Sequence, residues 1–129
     1  MNEMLIQMGK NAREAEKSLR SLSTAKKNEA LAAVAQRLVE KADVLLKANE
    51  EDVANGRKNN MKESLVDRLM LTKERIEGMA EGLRQLVDLE DPIGEVLGMK
   101  KRPNGLLIGQ KRVPLGVIGI IYEARPNVT

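Results

Sequence analysis

The fold class of this chain is decided by one segment, VPLGVIGIIYEARPNVT, which spans Val113–Thr129. Its five-residue apolar run, Val117–Ile121, lacks polar alternation and therefore predicts a β-strand that is buried on both faces. The polar loop that follows, Tyr122–Thr129, comes after the carboxyl end of that strand, where open α/β sheets bind their ligands. The segment therefore predicts an α/β protein with a ligand site in this loop.

A strand that is buried on both faces needs a neighbouring strand along each edge, because unpaired N–H and C=O groups are costly in a protein interior. The strand is expected at residues 117–121 of a 129-residue chain, and the elements that would complete such a sheet are absent. We therefore expect the chain to act as part of a longer protein.

Composition narrows the class of protein. The chain is 42% hydrophobic and 32% charged, as is typical of a globular domain. It contains no Cys and no His, which excludes a thiol nucleophile, a zinc-type site and a Ser-His-Asp triad from this stretch, and no metal site is expected. One Tyr, with no Phe or Trp, leaves little for stacking on nucleic-acid bases.

The N-terminus gives no sign of export or membrane insertion. There is no 18-residue apolar run, and Glu3 lies in an amphipathic pattern where a signal peptide would be apolar. We therefore expect a cytoplasmic protein with no membrane partner.

Upstream of the decisive segment, apolar residues recur every three or four positions and predict amphipathic helices. A first stripe runs from Met4 to Leu22 and needs a partner surface, and a second runs from Leu31 to Leu45 after a cap at Ser23-Thr24. We expect these two stripes to face each other.

Capping signals divide the rest of the helical region. Asn49, followed by three acids, predicts the start of a short third helix. The pattern breaks at Asn59-Asn60, and one more turn is expected from Ser64 to Leu69. Thr72 is expected to cap a last helix, on which Gly78 and Gly82 predict close packing against another backbone.

A basic β-hairpin is predicted after the helices. The runs at 94–102 and 106–113 have strand character, and Pro103-Asn104-Gly105 between them is a turn signal. Between Val96 and Val113 the chain carries five cations and no acid. Two interpretations stay open: a ribbon that grips nucleic-acid phosphates, or an exposed edge that cations keep from mispairing and that pairs with a chosen subunit.

At this point the C-terminal segment shows a resemblance. VPLGVIGIIYEARPNVT resembles the signature segment of the gamma-glutamyl phosphate reductase family, also called glutamate-5-semialdehyde dehydrogenases, and LKANEEDV and LVDRLMLTKERI resemble that family's N-terminal helices. More distantly, Pro114–Gly119 is similar to the Pro-x-Gly-Val-x-Gly that opens the cofactor domain of the aldehyde dehydrogenase superfamily.

The resemblance implies an aldehyde-dehydrogenase-like α/β fold, of which this chain would be an N-terminal fragment. Residues 1–93 would form the N-terminal helical part of the cofactor-binding domain and residues 94–116 a β-hairpin of the oligomerisation type. Residues 117–129 would supply the first strand and loop of the Rossmann-type NADP-binding sheet.

The implied reaction is the NADPH-dependent reduction of L-glutamyl 5-phosphate to L-glutamate 5-semialdehyde and phosphate, in proline biosynthesis. The family's chemistry uses a thiolate that attacks the acyl phosphate, and no cysteine is present here, so the fragment alone is expected to be inactive. The implied cofactor is NADP, the substrate is a small acyl phosphate, and the implied assembly is a homo-oligomer formed through the hairpin, with no nucleic acid.

The resemblance also assigns candidate site residues. Asn127, in a Pro-x-Asn-like loop, is the candidate for stabilising the oxyanion, although Pro126-Asn127 is by itself an ordinary turn dipeptide. Arg125 is the candidate for binding the substrate's phosphate or carboxylate, or else for pairing with Glu123. Cofactor contact is assigned to Ile120, Ile121 and Tyr122, which by pattern alone are core residues.

Gly116 and Gly119 have the wrong spacing for a phosphate-binding GxGxxG loop and more simply permit close backbone packing.

The functional alternative is a self-standing basic module, helical with a β-ribbon, that binds nucleic acid or a partner protein. Salt-sensitive binding of DNA or RNA would favour the module, whereas a downstream cysteine segment would favour the enzyme.

Overall fold

A computed structural model of the chain describes residues 3–128, in which five helices are followed by two strands. This order confirms the prediction of a helical region followed by a hairpin. The helices are α1 Glu3–Leu19, α2 Thr24–Glu40, α3 Ala42–Lys58, α4 Glu63–Leu69 and α5 Lys73–Val87, and the strands are β1 Val96–Lys101 and β2 Leu107–Lys111.

Contacts group these elements into two units. One consists of Met1–Thr24 with Glu90–Gly119, and so holds α1 and the hairpin; the other consists of Ala25–Leu89 with Ile120–Thr129, and so holds α2 to α5. The boundaries predicted at residues 93 and 116 remain a prediction.

The helical unit packs around α3, which contacts both α4 and α5. Its core is small and aliphatic, as expected from a sequence without Phe or Trp. Among the described residues the buried hydrophobic side chains are Ala35, Val53, Val66, Ile76 and Ala80.

Asn49 shows that one sequence prediction was wrong. It does not begin a third helix but lies inside α3, which runs unbroken from Ala42 to Lys58, while the break falls earlier, at Lys41. The Asn49 side chain is 6% exposed and donates to the carbonyl oxygen of Leu69 at 2.9 Å, and it accepts from the backbone N–H of Leu71 at 2.7 Å. A long-range partner has therefore replaced the expected local cap.

The junction between α4 and α5 is held by two further side chains. Thr72 caps α5 as predicted, because its hydroxyl oxygen accepts from the backbone N–H of Arg75 at 3.2 Å. The Arg75 guanidinium donates to the carbonyl oxygens of Asp67 and Met70 and to the Asp67 carboxylate. Side chains of both α3 and α5 thus hydrogen-bond to the turn between α4 and α5.

The expectation for the glycines of α5 was wrong within this chain. A Cβ built on Gly78 or Gly82 meets nothing within 4 Å among the described residues. The face they share is opposite to the buried Ile76 and Ala80, because residues three or four positions apart lie on one side of a helix.

In the other unit, α1 points its apolar stripe outward. None of its described residues is buried, and Met4, Met8 and Leu19 are 63%, 58% and 58% exposed, which contradicts the expectation that this stripe is covered. The opposite, charged face of α1, which includes Lys10 and Arg13, lines a groove together with residues 113–117.

On that charged face, Arg20 forms a two-pronged ion pair with Glu16. The guanidinium donates to both carboxylate oxygens, each at 2.9 Å. This hydrogen bonding lowers the pKa of the Glu16 carboxyl and raises that of Arg20. The pair joins Glu16, in the last turn of α1, to Arg20 just beyond that helix, and it stabilises the helix end locally.

The hairpin pairs β1 and β2 antiparallel, with Met99 opposite Gly109 and an irregularity between Val96 and Gly98. Gly109 is required there, because a Cβ at this position would lie 2.8 Å from the carbonyl oxygen of Gly98 and would collide with the Met99 sulfur. Every residue of both strands is exposed. The hairpin is therefore formed as predicted, but neither of its faces is covered.

Replacing Asn49 should destabilise the helical unit. Asn49→Ala leaves the part-buried Leu71 N–H and Leu69 carbonyl without their partner, so we expect the free energy of unfolding to fall by about 2 kcal/mol. Urea denaturation followed by circular dichroism measures it. Asn55→Ala, at an exposed position of the same helix, is the control and should change stability by less than about 0.5 kcal/mol. Equal effects from the two variants would contradict the role of Asn49.

The cap of α5 should make stability depend on pH. Hydrogen bonds from its own backbone N–H and from the Thr72 hydroxyl lower the pKa of the Glu74 carboxyl. Ionised Glu74 therefore contributes stability above its unfolded pKa, and this contribution is lost as pH falls through the lower, folded pKa. Thr72→Val removes the hydroxyl, so the Glu74 pKa should rise, which an NMR titration of the carboxyl carbon measures. An unchanged pKa would show that Thr72 does not bind this carboxylate.

Candidate functional site

The candidate site begins where β2 ends. The Arg112 side chain pairs with the Glu95 carboxylate at 2.7 Å, and the backbone N–H of Arg112 donates to the Glu95 carbonyl at 2.9 Å. The N–H of Gly94 donates in turn to the Arg112 carbonyl at 3.0 Å. These bonds fix the direction in which the chain leaves the hairpin at Val113.

The segment Val117–Ile121 does not form the predicted strand within this chain. No secondary structure is assigned to it, and Val117, Ile118, Ile120 and Ile121 are 51%, 64%, 56% and 102% exposed. A strand is defined by its hydrogen-bonded neighbour, and among the described residues no backbone hydrogen bond engages residues 117–121. The predicted strand is thus absent because no strand of the described chain pairs with the segment.

The loop after this segment is bent at one unusual residue. Ala124 has φ +49°, a left-handed conformation that costs roughly 1–2 kcal/mol for a residue with a Cβ. A turn follows, in which the backbone N–H of Val128 donates to the carbonyl oxygen of Arg125 at 3.2 Å. The strained residue and the turn together reverse the chain immediately after Tyr122.

The structure places the two polar candidates in the same turn. Arg125 begins it and Asn127 is its third residue, and both side chains are exposed. No ion pair joins Arg125 to Glu123 in the part of the chain that the structure describes, so the alternative partner weighed for Arg125 is not engaged. A cation and an amide are therefore available to a ligand two residues apart.

The three residues assigned to cofactor contact lie just before the bend. Ile120 and Ile121 are exposed, and Tyr122 is 50% exposed, so none of them has the core position that pattern alone predicts. Apolar and aromatic side chains are the kind that protein pockets present to a flat ring such as a nicotinamide. The glycines just before them do not form a pyrophosphate-binding loop, because Gly116 and Gly119 lack the GxGxxG spacing.

Across residues 3–128, no group of three or more acidic side chains is arranged to hold a metal ion. None of the described helices has the length and apolar character needed to cross a bilayer.

The chain is similar over its whole length to gamma-glutamyl phosphate reductases. It is 54% identical over 129 residues to the gamma-glutamyl phosphate reductase of Halothermothrix orenii and 56% identical over 127 residues to that of Lachnospira eligens. These alignments cover 100% and 98% of this chain and 31% of each relative. No family model matches the chain.

Solved structures of the same enzyme have a similar fold over nearly all of this chain. The crystal structure of the gamma-glutamyl phosphate reductase of Thermotoga maritima superposes with a TM-score of 0.91 at 45% identity, covering 96% of this chain and 30% of that one. The Saccharomyces cerevisiae gamma-glutamyl phosphate reductase superposes with a TM-score of 0.88 at 33% identity, covering 95% of this chain and 31% of that one.

These matches define a reductase class with an aldehyde-dehydrogenase-like fold, which confirms the predicted fold class. The chain spans about 31% of the length of the curated relatives reported above. Within that class, it belongs to the gamma-glutamyl phosphate reductase family.

The uncovered segment should be visible in solution. In the 129-residue chain we expect the backbone amides of Val117–Ile121 to exchange with solvent at close to the rate of an unstructured peptide, because no hydrogen bond protects them. The amide of Ala80, within α5 and fully buried, is the internal reference and should be protected. Hydrogen exchange followed by NMR measures both. Protection at Ile118 equal to that at Ala80 would reveal a pairing strand.

Proposed function

We propose that this chain, within a longer polypeptide, belongs to a cytoplasmic enzyme that reduces L-glutamyl 5-phosphate to L-glutamate 5-semialdehyde with NADPH, releasing phosphate, in proline biosynthesis. The observation that carries the proposal is the 54% identity over all 129 residues to a gamma-glutamyl phosphate reductase. A likeness of that extent in both sequence and fold supports a shared reaction for the whole protein.

NADPH, when bound, supplies the hydride that reduces the acyl carbon. Ile120, Ile121 and Tyr122 would hold its nicotinamide half. Their exposed side chains supply an apolar surface for the ring, and contact with the cofactor would remove that surface from water.

Asn127 would stabilise negative charge on the substrate. When a nucleophile adds to the acyl carbon, the carbonyl oxygen becomes an oxyanion, and the side-chain N–H groups of Asn127 would donate hydrogen bonds to it. The amide is exposed on a turn that Ala124 and the Val128 N–H bond hold in place. A preorganised donor of this kind lowers the barrier by about 3 kcal/mol.

Arg125 would bind the substrate through a charged group. Its guanidinium forks onto a phosphate or a carboxylate with two parallel hydrogen bonds. It is exposed and has no ion pair in the described chain, so no internal carboxylate competes for it. It lies two residues before Asn127, so one substrate molecule would reach both side chains.

The chain alone would be inactive. The proposed chemistry needs a thiolate, and no cysteine is present among the 129 residues. The thiolate would have to come from the part of the polypeptide that corresponds to the other 69% or so of the relatives' length.

The hairpin would join this enzyme to a second copy of itself. Both strands are exposed along their whole length, and Leu97, Met99 and Ile108 are 53%, 53% and 49% exposed. A two-stranded hairpin is marginally stable alone and gains stability by packing against another sheet or helix. This supports a role for its cations in preventing the exposed strand edge from pairing with strands other than those of the second copy.

The basic interaction module, the alternative kept open by the sequence, is not supported. The relatives and solved structures reported above are reductases, and the five cations of the hairpin are accounted for by protection of its edge. We propose that no nucleic acid is bound.

A chimera tests the proposed activity. The 129 residues of this chain replace the matched segment of the Halothermothrix orenii reductase, and oxidation of NADPH is followed by absorbance with L-glutamyl 5-phosphate as substrate. We expect turnover dependent on the acyl phosphate. In the chimera, Asn127→Ala should lower kcat about 100-fold with a smaller effect on KM, because an oxyanion donor acts in the transition state.

Two further variants of the chimera separate the roles. Arg125→Ala should raise KM more than it lowers kcat, since a charge clamp binds substrate and transition state alike. Asn104→Ala, at an exposed asparagine of another turn, should leave both constants unchanged. A folded chimera that oxidises no NADPH would overturn the proposed reaction, and undiminished turnover in Asn127→Ala would remove only Asn127 from it.

A further inference from the structure

The chain contains two Asn-Gly pairs, Asn55-Gly56 and Asn104-Gly105, which lie in opposite environments. In such a pair the backbone nitrogen of the glycine is able to attack the side-chain amide carbon of the asparagine. Glycine offers the least hindrance to this attack because it has no Cβ and restricts the backbone least. The environment of each pair therefore decides whether the reaction occurs.

Asn104-Gly105 lies at the exposed tip of the hairpin. Gly105 has φ +86°, and a Cβ built on it meets nothing within 4 Å. The Asn104 side-chain oxygen accepts from the N–H of Leu106 at 3.2 Å. This bond holds the amide over its own backbone and stabilises the negative charge that an attack would place on the oxygen.

Two backbone hydrogen bonds close this turn, because the Arg102 N–H also donates to the carbonyl oxygen of Leu106 at 2.8 Å, and one of the two opposes the reaction directly. The Gly105 N–H donates to the carbonyl oxygen of Arg102 at 2.9 Å, and this nitrogen has to be released before it attacks. The hairpin has only two strands, all of whose residues are exposed, and such ribbons open locally at little cost.

Asn55-Gly56 lies inside α3 and is protected. Gly56 is buried, and a Cβ at that position would lie 3.3 Å from the Met61 sulfur and 3.7 Å from Leu69. The helix fixes the backbone dihedral angles of Asn55, so the glycine nitrogen is held away from the amide carbon. Attack here requires the helical unit to open around Asn49 and Val53, which are buried on the same helix.

We propose that Asn104 is a site of spontaneous deamidation and isomerisation, and that Asn55 is not. The Gly105 nitrogen gives up its proton to solvent base and forms a bond to the side-chain carbon of Asn104. The bond from that carbon to its amide nitrogen breaks, and ammonia leaves with a proton from solvent. Water then opens the cyclic imide at either carbonyl, which gives aspartate or isoaspartate without oxidation or reduction.

Either product changes the charge of the hairpin surface. A carboxylate appears two residues from Arg102 and three from Lys101, within a segment that had five cations and no acid. Isoaspartate also adds a methylene to the main chain between β1 and β2. Because turn length sets strand register, this product shifts the pairing that places Met99 opposite Gly109.

Peptide mapping of the 129-residue chain tests the proposal. The chain is incubated at mildly alkaline pH in native buffer and, separately, in urea, then digested, and conversion at the two asparagines is measured by mass spectrometry. In native buffer Asn104 should convert at least about tenfold faster than Asn55, because opening of the hairpin is far easier than opening of α3. In urea the two rates should agree within about twofold, since both pairs are then unstructured.

Asn104→Gln is the matched control. Its longer side chain forms the cyclic imide far more slowly, so conversion at position 104 should fall to a small fraction of the Asn104 rate while Asn55 behaves as before. Equal rates at Asn55 and Asn104 in native buffer would overturn the proposal. Conversion at Asn104 that is fast in urea but undetectable in native buffer would also overturn it, by showing that the turn protects the pair.

Discussion

The side-chain amide of Asn49 is the interaction on which the helical unit depends. Leu69 is the last residue of α4 and Leu71 precedes the start of α5, so the Leu69 carbonyl and the Leu71 N–H lack helical partners. Asn49 supplies both a donor and an acceptor to this gap from the middle of α3. With seven residues, α4 is too short to be stable alone, and this amide fixes its position on α3.

Asn49 shows the limit of what local sequence predicts about structure. Thr72 as the cap of α5, and Pro103-Asn104-Gly105 as the turn of the hairpin, were both predicted, because the hydrogen bonds involved span two to four residues. Asn49 was misread as a cap because it precedes three acids, as true caps often do. Its actual partners lie 20 and 22 residues away, and no local pattern encodes them.

The same limit applies to surfaces that are completed by other parts of a protein. Periodicity identified the apolar stripe of α1, and the unbroken apolar run Val117–Ile121 predicted a buried strand. Such patterns indicate which face is apolar but not which element covers it. In this chain both remain exposed, as does the face of Gly78 and Gly82. The roles of Arg125 and Asn127 came from resemblance alone, since a turn with a cation and an amide is common on any surface.

The bare run Val117–Ile121 has a further consequence for handling the chain in isolation. An exposed apolar run without charge or proline is a hazard for cross-β stacking, in which identical segments of many molecules pair edge to edge and interlock as a dry steric zipper. Pro114 on one side, and Glu123 with Arg125 on the other, act as gatekeepers that interrupt such stacking. Because salt screens those flanking charges, their protection weakens as ionic strength rises.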